Sequence, residues 1–344
     1  MVCTRDGRVR AGPPLVGETD PHPLEAADTY TAYASGTITI PSGQPGAGTY
    51  ELTGMTDTKV RASARLGGDR ILATLGLNIP TGKTSLDSTE LRALRVLGAP
   101  ALRFQTPGLG SGVSGTTGVV VTQMLGNWAW GLGASYEYRG AYSPAESFAA
   151  GTGAPDLDPG EAVRVSLGTD GFVGPHQMSM SISSTFYTED HVSFQTATGP
   201  RQYGVRLGPS LVAEWQLRLA SERVRELTLY AFDRYRTTYE RDGVEVDGTS
   251  GNELDFGANG AASLSRRVSL LLGASGRHHT GLKVDETLST AAILSGGVQL
   301  GLSLDVGGGL VIQPLAGVEF ATIGTGTNRL PANKLEFAIA IGTR

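Results

Sequence analysis

The stretch WAWGLGASYEYR, residues 128–139, separates its side chains by parity along its whole length. Even positions carry Trp, Leu, Tyr and one Ala, whereas odd positions carry Ala, Gly, Ser, Glu and Arg. Because successive side chains of a β-strand point to opposite faces of its sheet, this pattern predicts a strand with one apolar and one polar face.

The same alternation recurs along the chain, most extensively in YGVRLGPSLVAEWQLRL at residues 203–219. Most of the alternating segments are longer than the roughly 5–6 residues typical of strands in soluble proteins. The first and fourth segments alternate least clearly. We predict about fourteen strands, at 27–40, 57–66, 69–80, 116–125, 127–139, 161–172, 176–188, 202–220, 224–239, 252–264, 266–278, 290–304, 308–322 and 333–344.

Short and long connections take turns between these segments. The short ones are 67–68, 126, 173–175, 221–223, 265 and 305–307, and the long ones are 41–56, 81–115, 140–160, 189–201, 240–251, 279–289 and 323–332. This order indicates an all-β, transmembrane, antiparallel up-and-down barrel of about 14 strands (12–16), with short periplasmic turns and long extracellular loops. A soluble sandwich or propeller also alternates, but it does not favour such long strands. We expect residues 1–26 to form a periplasmic segment or plug and residues 27–344 to form the barrel.

The energetics of the bilayer decide which face of each strand points outward. An Arg or Lys facing the midplane of the bilayer costs about 2–4 kcal/mol, so we expect the charged faces to line the lumen. There they can set selectivity or brace the wall by pairing across strands, and the two roles are compatible. These lumen-facing candidates are Arg61, Arg65, Glu137, Arg164, Arg206, Glu214, Arg218, Glu319 and Glu336. The predicted aromatic girdles contain Trp128, Trp130, Trp215, Tyr136, Tyr138 and Tyr203.

One segment, residues 85–98, has a helical apolar stripe formed by Leu91, Leu94, Val96 and Leu97. We expect Ser88 or Asp87 to cap this helix.

Composition narrows the classes of function. The 344 residues carry a formal net charge of −5, which does not favour nucleic acid as a partner, and the single cysteine, Cys3, excludes an internal disulfide. No apolar run reaches the roughly 20 residues of a membrane-spanning helix. The first 30 residues contain no signal-like apolar core, so we expect that a leader is absent from the given chain.

Two enzymatic interpretations compete with transport. Gly82-Lys83-Thr84 ends like a phosphate-binding loop, but five residues separate Gly76 from Gly82 where that motif requires four. A barrel hydrolase would need a nucleophile and an oriented histidine near the outer rim. The candidate histidines are His22, His176, His191, His278 and His279. None of them has metal-ligand spacing, and the acidic loops at 156–161 and 242–248 are better explained as solvated. We predict no enzymatic activity and no cofactor.

The segments GLNIPTGKTSL at 76–86 and GLGSGVSGTTGVVVTQML at 108–125, followed by the aromatic strand, carry a family resemblance. Together they resemble outer-membrane transporters associated with phenol meta-pathway degradation, which are distantly similar to the long-chain fatty-acid transporter barrel. The matching elements are Pro80, Thr81 and Gly82, and then Gly110, Ser111 and Gly112.

The resemblance implies passive uptake of small hydrophobic or aromatic compounds across the outer membrane of a Gram-negative-type cell. We expect a monomer in contact with outer-membrane lipid and lipopolysaccharide. The alternatives are a diffusion porin for polar solutes, a lipid-hydrolysing barrel, and a structural or adhesive surface barrel.

Overall fold

The structure is a computed structural model of the chain. It describes residues 26–30, 33–40, 48–68, 70–97, 110–146, 154–196, 198–220, 226–281, 292–325 and 328–343. The predicted N-terminal segment, including Cys3 and His22, lies outside these residues except for Ala26.

The described chain contains one helix and 21 strands. Helix α1 is Ser88–Leu97. The strands are β1 (Ala26–Tyr30), β2 (Tyr33–Ile40), β3 (Gly48–Met55), β4 (Thr58–Leu66), β5 (Ile71–Ile79), β6 (Ser114–Leu125), β7 (Trp128–Arg139), β8 (Asp156–Asp158), β9 (Ala162–Val173), β10 (His176–Tyr187), β11 (Glu189–Thr196), β12 (Gly199–Arg206), β13 (Ser210–Leu219), β14 (Glu226–Arg236), β15 (Glu240–Arg241), β16 (Val244–Glu245), β17 (Gly251–Ser263), β18 (Val268–His279), β19 (Ala292–Gly307), β20 (Leu310–Thr325) and β21 (Asn328–Thr343).

Fourteen strands form one antiparallel sheet in the order β1-β4-β5-β6-β7-β9-β10-β13-β14-β17-β18-β19-β20-β21. Sheet order follows chain order, as an up-and-down topology requires. Tight turns join alternate pairs, and the turn between β4 and β5 uses Gly67 and Gly68 at φ of 62° and 66°, a conformation that glycine adopts without strain. The predicted strand number and order are confirmed. Within the described strands, no pairing joins β1 to β21.

Exposure on the strands is the reverse of that in a soluble protein. On β19, Leu294, Val298 and Leu300 are 62%, 58% and 55% exposed, whereas Ser295 on the opposite face is 8% exposed. No large side chain in the described part of the chain is fully buried. An apolar surface this continuous needs lipid around it, so the sheet is the wall of a transmembrane β-barrel. We call its apolar side the lipid face and its polar side the lumen face.

Aromatic side chains lie near both ends of the lipid face. Trp128 follows the tight turn before β7, and Trp130 shares one cross-strand row with Trp215 through Thr169 and Met180. Tyr136 and Tyr138 lie towards the other end of β7 and are 37% and 50% exposed. These positions agree with girdles at the two interfaces.

Above the barrel, the long loops build a second sheet in the order β16-β15-β12-β11-β8. We call this sheet the outer extension. The predicted strand 202–220 is wrong as a single element, because residues 207–209 interrupt it and β12 belongs to the outer extension. Tyr203 is therefore not part of a girdle. It packs edge-on against Phe194, with the ring centroids 6.1 Å apart, and stacks under Arg241.

The predicted strand 27–40 is also two elements. Only β1 joins the barrel sheet, whereas β2 pairs with β3, which lies in a predicted loop. Helix α1 packs on this hairpin. A small buried apolar cluster forms there from Leu52 on β3, Ala93 on α1 and Leu86, which precedes α1. No helix in the described chain is long and apolar enough to cross a bilayer.

The start of α1 is held by a reciprocal cap. Asp87 Oδ1 accepts hydrogen bonds from the amides of Thr89 and Glu90, at 2.7 and 2.8 Å, and Glu90 Oε2 accepts one from the Asp87 amide at 3.1 Å. This is a capping box, so Asp87 rather than Ser88 is the N-cap residue.

Candidate functional site

A buried carboxylate organises the outer end of strands β4 to β6. Asp57 immediately precedes β4 and is 3% exposed. Its Oδ2 accepts hydrogen bonds from Asn78 Nδ2 at 2.7 Å, the Ser111 amide at 2.8 Å and Ser111 Oγ at 3.1 Å. Its Oδ1 accepts one from the Gly82 amide at 3.0 Å. Hydrogen bonds of this kind compensate for the cost of burying a polar side chain.

Asp57 therefore joins the two motif segments identified in the sequence, Pro80–Gly82 and Gly110–Gly112. Thr81 strengthens the junction, because its Oγ1 lies 2.9 Å from the Thr58 amide that donates to it and 2.8 Å from Thr58 Oγ1. Sequence reasoning missed Asp57, although it named the six motif residues that the structure brings together.

Two of the motif glycines are required by close backbone approach. A Cβ on Gly110 would lie 2.6 Å from the carbonyl carbon of Lys83, and a Cβ on Gly112 would overlap the carbonyl oxygen of Gly140. Residues 110–112 therefore approach the backbone after β5 at Gly110 and the backbone after β7 at Gly112.

The same arrangement explains the residues that resemble a phosphate loop. The Gly82 amide donates to Asp57, and Lys83 Nζ forms an ion pair with Glu90 on α1. The Gly82 amide and the Lys83 ammonium group, which would hold a phosphate, therefore already contact carboxylates. The Gly82 contact joins the residues after β5 to the start of β4, and the Lys83 ion pair joins them to α1.

A cavity of about 340 Å³ opens beside Asp57 on the lumen face. We call it the outer pocket. The polar residues that line it are Asp57, Lys59, Arg61, Asn78, Ser111, Ser114, Thr116 and Glu137, and Gly76 and Gly110 also lie in its wall.

Arg61 and Glu137, two of the predicted lumen residues, both line this pocket. The backbone register places them in one row across four strands, since Arg61 pairs with Gly76, Gly76 with Thr116 and Thr116 with Glu137. Side chains in one cross-strand row share a face of the sheet.

Asn78 is a buried residue of the outer pocket wall. It is 8% exposed, and its Nδ2 also lies 3.2 Å from Ser111 Oγ and 3.4 Å from the Gly112 carbonyl oxygen. Its Oδ1 is buried and has no hydrogen-bond donor among the described residues. Since three acceptors surround Nδ2, the assignment of the two amide atoms follows from the contacts.

A second cavity, of about 430 Å³, lies against the wall formed by β13 to β20, with Gln216, Thr228, Asn259, Gly273 and Gln299 in its lining. Thr228, Asn259, Gly273 and Gln299 belong to one cross-strand row, which begins at Arg218 and ends at Glu336, both predicted lumen residues. The residues between these two charges are uncharged and polar or glycine.

The remaining predicted lumen residues are dispersed. Glu214 Oε2 accepts from Ser181 Oγ at 3.3 Å, and Glu319 Oε1 accepts from Ser295 Oγ at 2.6 Å. Glu336 pairs with Lys334 on its own strand at 3.0 Å. Arg65 and Arg164 lie on β4 and β9, away from the outer pocket lining.

Arg206 does not line the barrel, because its strand belongs to the outer extension. It contacts Glu240 at 2.5 Å, and this hydrogen bond raises the pKa of the guanidinium. A neighbouring contact anchors the extension to the barrel, since Asp190 Oδ1 accepts from Arg139 at 3.1 Å and from the Gly160 amide at 2.6 Å.

The sequence did not predict an ion pair between two neighbouring strands of the barrel wall. Arg277 Nε donates to Asp255 Oδ1 at 2.6 Å between β18 and β17. Asp255 occupies a polar-face position in the alternation of β17, and this position is the sequence feature that could have identified it.

The candidate histidines lie on different parts of the fold. His176 begins β10 beside a tight turn, where its Nδ1 accepts from the Ala220 amide at 3.2 Å. His191 lies in the outer extension, and His278 and His279 end β18. In the described residues, no cluster of three or more His, Cys, Asp or Glu side chains can hold a metal ion.

No family model and no curated protein matches the chain. Among solved structures, the outer-membrane ferripyoverdine receptor of Pseudomonas aeruginosa aligns at 10% identity and a TM-score of 0.40, over 92% of this chain and 58% of the receptor. The translocator domain of autotransporter NalP from Neisseria meningitidis aligns at 13% identity and a TM-score of 0.26, over 85% and 87% of the two chains. The TodX monoaromatic hydrocarbon channel, as its deltaS2 mutant, aligns at 12% identity and a TM-score of 0.37, over 91% and 87%.

The chain spans less than two thirds of three of the matched chains, at 55%, 58% and 44% of their lengths. At these low sequence identities and TM-scores, the barrel assignment depends on the strand pairing and the exposure pattern described above.

Proposed function

We propose that the chain is an outer-membrane channel for the passive uptake of small hydrophobic or aromatic compounds. The observation that carries the proposal is the junction at Asp57. It holds both segments that resemble the meta-pathway transporters together at the outer end of a transmembrane barrel.

Further parts of the proposal concern the surroundings of the barrel. It works as a monomer, its lipid face contacts the outer-membrane lipid, and its outer extension stands at the level of lipopolysaccharide. The charged lumen residues retained as selectivity candidates are Arg61, Arg65, Glu137, Arg164, Glu214, Arg218, Glu319 and Glu336.

A diffusion porin for polar solutes is the second candidate, and the polar row from Arg218 to Glu336 favours it. Purified protein in liposomes separates the two functions. Uptake of labelled small aromatic compounds, without swelling in sugars, is the expected result. Rapid swelling in sugars would instead establish the porin, and permeability to neither class would refute transport.

The membrane assignment has its own test. The protein should cofractionate with outer membranes and migrate on SDS gels as a compact band that shifts on heating. Recovery in the soluble fraction with ordinary gel mobility would contradict the assignment.

A further inference from the structure

We propose that the second cavity, which lies against β13 to β20, binds an uncharged solute that combines an apolar ring with a neutral hydrogen-bonding group such as a carboxamide. We call this cavity the wall cavity. The inference rests on the proposed function, since it names the class of hydrophobic compound that the lumen wall recognises. It is carried by two converging amide side chains, an apolar patch beside them, and a lining whose described residues are uncharged.

The side chains of Asn259 and Gln299 converge above Gly273, which lies between them in one cross-strand row. A Cβ on Gly273 would lie 2.9 Å from Asn259 Oδ1 and 3.5 Å from Gln299 Oε1. The lack of a side chain at Gly273 therefore leaves the space in which the two amide groups meet. Both amide residues are exposed on the lumen face, and neither forms a side-chain hydrogen bond with another residue in the described part of the chain. A solute in the wall cavity can reach both of them.

The two amides determine which chemical group fits between them. A carboxamide side chain has an oxygen that accepts hydrogen bonds and an NH2 group that donates them. A half-turn of the amide exchanges these two ends, so each residue can present either kind of group. Two such side chains around one space complement a neutral group that both donates and accepts. Gln216 and the Thr228 hydroxyl lie in the same lining and extend this polar side of the cavity.

An apolar patch lies one row nearer the tight turn between β17 and β18. In that row Ala261 pairs with Leu271, Leu271 with Gly301, and Gly301 with Leu315. A Cβ on Gly301 would overlap Leu315 Cδ2, so the Leu315 side chain lies over this glycine in the direction of Leu271. Ala261, Leu271 and Leu315 all line the wall cavity. They provide an apolar surface for a hydrocarbon ring directly beside the amides.

Charge is confined to the two ends of the row that holds the amides. Arg218 begins this row two strands before Asn259, and Glu336 ends it two strands after Gln299. Because neighbouring strands lie about 4.8 Å apart, the backbone of each charged residue is about 10 Å from that of the nearer amide. An ionic group in the wall cavity would lose hydration without meeting an opposite charge in the described lining, so the cavity favours uncharged solutes.

The test uses four probes that share one ring and differ in a single group: cyclohexanecarboxamide, cyclohexanecarboxylate, cyclohexylmethylammonium and methylcyclohexane. The wall cavity, of about 430 Å³, accommodates each of them. Equilibrium dialysis measures their dissociation constants for the barrel in lipid nanodiscs, with empty nanodiscs to subtract partition into lipid. The wild-type protein should bind the carboxamide about tenfold more tightly than either charged probe. Equal or tighter binding of a charged probe would overturn the proposal.

Two variants test the amide side of the wall cavity. Asn259→Leu removes one amide, and Gly273→Ala places a methyl group where the two amides converge. Each should weaken binding of the carboxamide about tenfold and change binding of methylcyclohexane by less than about twofold. Gln313→Leu is the matched control, because it removes a lumen-face amide outside the cavity lining, and it should change neither affinity. An unchanged carboxamide affinity in Asn259→Leu would refute the proposal.

A third variant tests the apolar side. Leu271→Asn keeps a side chain of similar size but makes the patch polar, so the carboxamide and methylcyclohexane should both lose several-fold in affinity. If methylcyclohexane bound as well as it does to the wild type, the apolar patch would not be part of a binding site and the proposal would be wrong. If none of the three variants assembles, the wild-type comparison with the two charged probes decides alone.

Binding and transport are measured separately. A preference for the carboxamide in nanodiscs without flux of neutral solutes in liposomes would refute the proposed function and retain the site. Flux of aromatic compounds together with equal binding of neutral and charged probes would refute the site and retain the proposed function.

Discussion

At the scale of single residues, Asp57 is the position on which the outer end of the barrel depends. Replacing it with Ala leaves the amides of Gly82 and Ser111 without their acceptor and removes one of the three acceptors of Asn78 Nδ2. Because unsatisfied buried donors are costly, Asp57→Ala should lower the free energy of unfolding by about 3 kcal/mol. Urea unfolding in liposomes measures the loss. Asp158→Ala removes an exposed carboxylate and should change stability by less than about 0.5 kcal/mol. Equal effects of the two variants would contradict the role of Asp57.

A second residue-scale prediction concerns the backbone contact at Gly112. A methyl group there overlaps the Gly140 carbonyl, whereas a methyl group on Gly342 meets no atom within 4 Å. Gly112→Ala should therefore destabilise the barrel by about 1–3 kcal/mol through forced backbone movement, and Gly342→Ala should have little effect. Heat-modified gel mobility as a function of temperature compares the two variants. If the Gly112→Ala barrel were as heat-resistant as wild type, the backbone at Gly112 would not be in close contact with Gly140.

At the scale of elements, helix α1 owes its start to the capping box. Asp87→Ala removes the acceptor for two helix amides, so the first turn should lose about 1 kcal/mol of local stability. Hydrogen exchange by mass spectrometry on a peptide covering 86–97 reports this loss directly. Ser88→Ala, one position later in the exposed first turn, is the matched control and should leave exchange unchanged. Faster exchange in Ser88→Ala than in Asp87→Ala would reverse the assignment of the cap.

The elements also show what alternation can and cannot predict. Parity located all fourteen wall strands because a lipid face demands apolar residues at every second position. It ran without interruption through residues 203–219, however, and so concealed the break between β12 and β13. At that break, a side chain on Gly208 would overlap the backbone of Thr237 and Thr238. Such a close approach depends on a distant segment, which local alternation does not report.

The outer site was predictable only in part, for the same reason. Pro80–Gly82 and Gly110–Gly112 stood out as motif segments, but Asp57 joins them over separations of 25 and 54 residues. A single Asp between two threonines has no periodicity to reveal it. Asn78 could be assigned to the lumen face from parity alone, whereas its unfilled acceptor required the positions of Asp57, Ser111 and Gly112.

At the scale of the whole molecule, the inverted distribution of polar and apolar side chains makes the strongest demand on the surroundings. Gln299 and Leu300 are adjacent on β19 and point to opposite faces, and Leu300 is 55% exposed. If the exposed face contacts lipid, Leu300→Arg should cost about 2–4 kcal/mol, because the charge then lies in hydrocarbon. Gln299→Arg places the same charge in the lumen, where water solvates it, and should cost little.

These two variants therefore test the barrel, because they place the same charge on opposite faces of one strand and their stabilities can be compared. Urea unfolding in liposomes gives the two free energies, and single-channel or liposome-flux measurements give selectivity. Gln299→Arg should shift permeation towards anions because it adds a positive charge to the wall. The Leu300→Arg protein that does assemble should keep the selectivity of the wild type. The opposite ranking, with Gln299→Arg the more destabilising, would place the polar face against lipid. Equal, small costs would mean that no bilayer surrounds the sheet.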